Sequence, residues 1–192
     1  MKDNIHTKVG ASSNTGFFLE EKGGKGQYDW NEQQYREKQI KFAADLEQLG
    51  DCEFWMRKGK FSEYDYDLTL KGSDSAKGAA LIVPGIPVFG YAELKYRNVS
   101  STRFDTTVVD TEKMKKLLQR SVFTNLPVYV CWRFSDQDMY YQVAYKDLSQ
   151  FKIRQGRNTH TSEDSECEYK QLTYIPMTLL STCNKNMFKE IK

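Results

Sequence analysis

Three residues in the middle of this 192-residue chain combine into a recognisable piece of chemistry: Asp67, Glu93 and Lys95. Asp67 sits in YDYDLTL (64–70) and the other two in VFGYAELKYRN (88–98), both runs of strand-forming residues. Between them lies a polar, glycine- and proline-rich passage with Gly72, Gly78, Pro84, Gly85 and Pro87. Side chains alternate across a strand, so Asp65, Asp67 and Thr69 share one face. In the second strand Phe89, Tyr91, Glu93 and Lys95 share one face, and Val88, Ala92 and Leu94 the other. Two carboxylates on neighbouring strands offer hard oxygen ligands to Mg²⁺. A lysine on the same side meets phosphate charge or holds an attacking water. The plainer alternative is an exposed strand face with an ordinary cross-strand ion pair, which contributes little. Against it, Glu93 and Lys95 stand in an apolar, aromatic strand, where unpaired charge is costly.

The elements that must position these residues follow from periodicity. A helix is predicted over 29–49, with Asp29 as N-cap and Gly50 as stop. Its inner stripe is Tyr35, Phe42, Leu46 and Leu49, with Gln39 and Ala43 at the edge. DCEFWMR (51–57) reads as a short strand, and the strands 64–70 and 88–96 as an antiparallel pair. Residues 97–112 read as a loop whose Asp110 or Thr111 caps a helix, TEKMKKLLQRSVF, with Met114, Leu117, Leu118 and Phe123 inward. PVYVCWRF (127–134) is apolar throughout, as in a strand covered on both faces. The crossover from 88 to 134 implies parallel pairing. MYYQVAY (139–145) is a further strand, 147–151 a short helix, 154–170 a long polar loop, and TYIPMTLL (173–180) a last strand and turn.

This order of a helix bearing an acid, a strand bearing Asp, a strand bearing Glu-x-Lys, a helix and a strand resembles the PD-(D/E)XK nuclease superfamily, over roughly residues 30–135. The small phage and bacterial members, with a YD-D-L-x-L strand and a Y-x-E-x-K strand, look most similar. One departure is that Tyr66 stands where a proline usually precedes the first acid. The resemblance implies an α/β fold, a restriction-endonuclease-like mixed central β-sheet flanked by helices (an α-β-β-α-β core). It implies a divalent-metal-dependent nuclease hydrolysing phosphodiester bonds, most readily of DNA, with Mg²⁺ or Mn²⁺ as cofactor. Asp67, Glu93 and the Leu94 carbonyl would hold the metal, Lys95 would orient or activate the water, and Glu32 would be the accessory acid of the first helix. Asp65 and Glu37 remain open alternatives to Asp67 and Glu32. A homodimer fits the same resemblance. The competing reading is an inactive nucleic-acid- or protein-binding module on this fold.

Composition bounds these readings. Net charge is only +2, from 28 basic and 26 acidic residues, so a nucleic-acid surface requires local clustering. Clusters occur at Arg57–Lys60, at Lys95 with Arg97 and Arg103, at Lys113–Arg120, and at Lys152–Arg157. The four cysteines lack C-x-x-C spacing, and with two histidines they argue against a zinc site or a disulfide framework. No apolar run is long enough to span a membrane. The expected setting is a reducing cytoplasm, of a bacterium or a phage-infected host. The domain reading is a flexible arm over 1–27, one nuclease-like domain over 28–182 and a tail over 183–192.

Overall fold

The computed structural model describes residues 6–8, 27–57, 65–70, 88–144, 149–157 and 169–187. Within them are two α-helices, α1 (Gln27–Leu49) and α2 (Thr111–Thr124). The strands are β1 (His6–Lys8), β2 (Cys52–Arg57), β3 (Tyr66–Leu70), β4 (Val88–Tyr96), β5 (Thr106–Asp110), β6 (Val128–Arg133), β7 (Asp138–Gln142), β8 (Lys152–Arg157), β9 (Tyr169–Pro176) and β10 (Ser181–Thr182). The fold is mixed α/β, and the sheets are mostly antiparallel.

A seven-stranded sheet runs β1-β2-β3-β4-β6-β7-β10. Every pair in it is antiparallel except β4 with β6, whose register joins Glu93 to Val130 and Lys95 to Trp132. The parallel pair follows from the intervening helix, since a crossover is needed to bring the chain back in the same direction. The expected β3–β4 antiparallel pair is present, with Tyr66 opposite Ala92 and Asp67 opposite Tyr91.

The alternation expected along β4 breaks at its start. Leu68 pairs with Gly90, but Thr69 pairs with Val88, so Phe89 is the extra residue of a β-bulge. The bulge turns Phe89 to the face of Ala92 and Leu94, and Val88 to that of Tyr91. Gly90 sits where the neighbouring strand comes close: a Cβ there would meet the Pro127 carbonyl oxygen at 3.0 Å.

The large sheet is covered on both faces. On one, Phe42, Ala43 and Leu46 of α1 pack on Phe54, Tyr66, Leu68, Ala92 and Leu94. On the other, Met114 and Leu117 of α2 pack with Tyr91, Val130, Trp132 and Ile175. Each fully buried leucine or phenylalanine contributes roughly 1.5–3 kcal/mol, so this double covering holds β4 and β6 as the rigid centre. Leu49 and Phe123, both placed inward from periodicity, are exposed instead. Each lies at or next to the last residue of its helix.

Helix α2 begins at a well-made cap. The Asp110 carboxylate accepts from the backbone N–H groups of Glu112 (2.8 Å) and Lys113 (3.2 Å). It ends at Asn125, whose φ of 54° is the left-handed stop that asparagine tolerates. Helix α1 starts at Gln27, two residues before the expected cap, which puts Asp29 in its first turn.

A second, three-stranded sheet runs β5-β9-β8. It corrects two expected loops: 106–110 is a strand, and 154–157 and 169–170, expected in the long polar loop, are paired. Residues 158–168 and 145–148 lie outside the described residues. Strand β1 draws part of the expected arm onto the sheet edge, and Cys183 and Met187, expected in the tail, are buried against the α1 face.

Candidate functional site

Glu93 lies in the centre of β4 and is 1% exposed. A carboxylate there requires compensation, and two lysines supply it. Lys95, two residues on and on the same face, brings its Nζ to 2.5 Å from Glu93 Oε1. Lys113, in the first turn of α2, places its Nζ 3.1 Å from Oε2. Burial alone would push the Glu93 carboxyl up, but the two ammonium groups hold it below the usual carboxylate range. The Lys95 ammonium is correspondingly held above its ordinary value: burial works against it, and Glu93 and Asp65 outweigh burial.

Asp65 stands just before β3 and is half-buried. Its backbone N–H still reaches the Ala92 carbonyl at 3.1 Å, which keeps its side chain beside Glu93 and Leu94. Asp65 Oδ2 accepts from the Leu94 N–H (3.0 Å) and from Gln39 Nε2 (3.0 Å). Burial, with the negative charge of Glu93 added, pushes its carboxyl up to about 7, against the opposing pull of Lys95, Lys113 and the Leu94 N–H. Gln39 of α1 also donates to the Leu94 carbonyl at 3.0 Å. One amide nitrogen therefore ties together Asp65 and the backbone of the Glu-x-Lys strand. Tyr35, one helical turn before Gln39, completes this side; burial raises its hydroxyl, and the charges of Lys95, Asp65 and Glu93 all act on it.

The residues singled out from sequence divide accordingly. Glu93, Leu94 and Lys95 meet in one cluster with Asp65, the acid held open as an alternative. Asp67 lies two residues further along, within β3, buried across from Tyr91 and Trp55. Glu32 lies on α1, with its side chain outside the described residues, and Glu37 is exposed beside Gln33. Gln39, at the edge of the predicted inner stripe, has its amide in the cluster. The clue was the i, i+4 spacing of Tyr35 and Gln39 on the helix face that approaches the strands.

The donor chemistry fits a hard divalent cation. Asp65, Glu93 and the Leu94 carbonyl are all oxygen donors, the set that suits Mg²⁺. Glu93 Oε2 is buried and faces the Lys113 ammonium at 3.1 Å without a well-aligned hydrogen bond. The two crowded carboxylates are the arrangement a cation relieves. Among the described residues no three His, Cys, Asp or Glu side chains group to hold a metal, so the Leu94 carbonyl and water would have to complete the shell.

Beside the cluster opens a cleft of about 1020 Å³. Tyr35, Lys95 and Lys113 line it where it meets the cluster, and along its walls the positive charges of Arg97, Lys116 and Lys170 outnumber the acids Asp110 and Glu112, Lys170 lying 3.9 Å from Asp110. Two of the four predicted basic clusters meet here, Lys95 with Arg97 and Lys113 with Lys116, while residues 58–60 of another lie outside the described residues. Compared with protein-family models, with curated proteins and with solved structures, the chain matches none. No helix among the described residues is long and apolar enough to cross a membrane.

Proposed function

We propose that the chain is a divalent-cation-dependent nuclease that hydrolyses phosphodiester bonds of nucleic acid, DNA first among the candidates. The observation that carries this reading is the meeting of Asp65, Glu93 and Lys95 at the head of a basic cleft. Asp65, Glu93 and the Leu94 carbonyl would hold Mg²⁺ or Mn²⁺. The ion, when bound, would supply Lewis-acid charge neutralisation at the phosphate. Lys95 would exchange its contact with Glu93 for the scissile phosphate or the attacking water. Lys113, fixed by the α2 cap, would meet a non-bridging phosphate oxygen from the other side. Gln39 would keep Asp65 and the Leu94 carbonyl aligned. Asp67, buried one alternation away, would serve as a neighbouring acid rather than a direct ligand. The restriction-endonuclease-like fold and a homodimer belong to the same proposal.

A second reading has its own support. Both Glu93 oxygens already face ammonium groups, so the acid is neutralised without a metal. That favours a non-catalytic binding module. Incubation with Mg²⁺ or Mn²⁺ and a panel of single-stranded, duplex and branched nucleic acids separates the two. Cleavage that is lost in EDTA and in Glu93→Gln supports the nuclease; binding with no cleavage in any metal overturns it.

A further inference from the structure

The cleft carries a repeated pairing of ring and cation on three separate elements. At the end of β4, Lys38 Nζ lies 5.1 Å from the centre of the Tyr96 ring. In the loop after β4, the Arg103 guanidinium lies 5.8 Å from the Phe104 ring. On β9, the Arg154 guanidinium lies 6.0 Å from the Tyr174 ring. All three rings line the cleft, and all three cations belong to exposed residues. Phe104 is 60% exposed and lines the cleft, so its ring is open to a ligand there.

We propose that this cleft binds an unpaired strand of nucleic acid, with bases stacking on Tyr96, Phe104 and Tyr174 as the cations now over these rings turn to the phosphates. A base offers a π-face to each ring whatever its identity, and a basic groove tracks the backbone between stacks. In a duplex the base faces are already stacked and closed to the rings. Proteins that read duplexes commonly insert a helix or ribbon into a groove about 12 Å wide, whereas this face is concave. The inference deepens the proposed nuclease reading by naming its substrate as single-stranded, and it rests on that reading for the cut but not for the binding.

The test is fluorescence anisotropy in EDTA, where cleavage is suppressed, using labelled 15-nucleotide mixed-sequence DNA, the matching RNA and the DNA duplex. Tighter binding of a single strand, DNA or RNA, than of the duplex by about tenfold or more is expected. Phe104→Ala should weaken single-strand binding about tenfold and leave the melting temperature unchanged, while Phe104→Trp should retain it. Lys116→Ala should lower the slope of log affinity against log salt by about 0.7. Equal or tighter duplex binding overturns the proposal, as does an unchanged affinity in Phe104→Ala. So does competition by a poly-glutamate peptide as effective as by the oligonucleotide, because a peptide satisfies the cations and leaves the rings idle. Cleavage is then measured separately with Mg²⁺ or Mn²⁺. Single-strand binding without cleavage sinks the nuclease reading and keeps this one; cleavage that ignores Phe104 does the reverse.

Discussion

Lys95 is surrounded by acids that hold its charge, so removing it tests chemistry more than packing. Lys95→Ala should lower turnover by at least about 10² while leaving the circular dichroism spectrum unchanged, since Lys113 still faces Glu93. Wild-type turnover in this variant would end the assignment of Glu-x-Lys. Asp65→Asn should weaken Mn²⁺ binding in calorimetry by about tenfold or more, and Asp67→Asn should weaken it less. An equal or larger effect at Asp67 would return the ligand role to the acid first read from the sequence. Asp65 also predicts a pH effect. Its folded pKa of about 7 lies above the unfolded value of about 4, so between these the folded state holds the extra proton. The group's contribution to stability is therefore present below about pH 4 and lost as pH rises through about 7. Measured without metal, the melting temperature of wild type minus that of Asp65→Asn should fall across this window; a flat difference would contradict it.

Among the elements, α2 connects stability to the site. Its Asp110 cap holds the turn that carries Lys113, so Asp110→Ala should cost about 1 kcal/mol, or roughly 2–4 °C in melting temperature, and Asp110→Ser should recover most of it. Arg133 does the same for α1. Its guanidinium grips Asp138 through Nε (2.9 Å) and Nη2 (2.7 Å), reaches Asp45 of α1 at 2.7 Å, and lies 4.4 Å from the centre of the Phe42 ring. Arg133→Ala should cost about 2 kcal/mol by chemical denaturation, a figure reduced from that of a sealed pair because Asp45 is partly exposed. These elements were also the ones the sequence made legible. β3, β4, α2 and β6 announced themselves through alternation, capping and an unbroken apolar run. β5 and β8 did not: TTVVD lies beside its own helix cap, and KIRQGR, with Ile153 exposed, carries no apolar face for alternation to reveal. The choice between Asp65 and Asp67 was equally invisible, because both share one parity and only the pairing of β3 with β4 separates them.

At the scale of the molecule, the cluster and the cleft are assembled from very different lengths of chain. The acids come from the start of β3 (Asp65 just before it) and from β4, neighbours in sequence as well as in the sheet. The opposite wall depends on β5, whose partner β9 joins Thr106 to Pro176, and on the buried Thr111–Thr173 hydroxyl contact at 3.0 Å that ties the α2 cap to β9. On a ribosome, chain emerges from its N-terminal end. Asp65, Glu93 and Lys95 are therefore synthesised and can pair well before Tyr169–Pro176 exists to receive β5. A nascent chain halted before Tyr169 would hold its charged residues and β5 without the strand that β5 pairs with, and β9, made late in the chain, is the one that completes the groove.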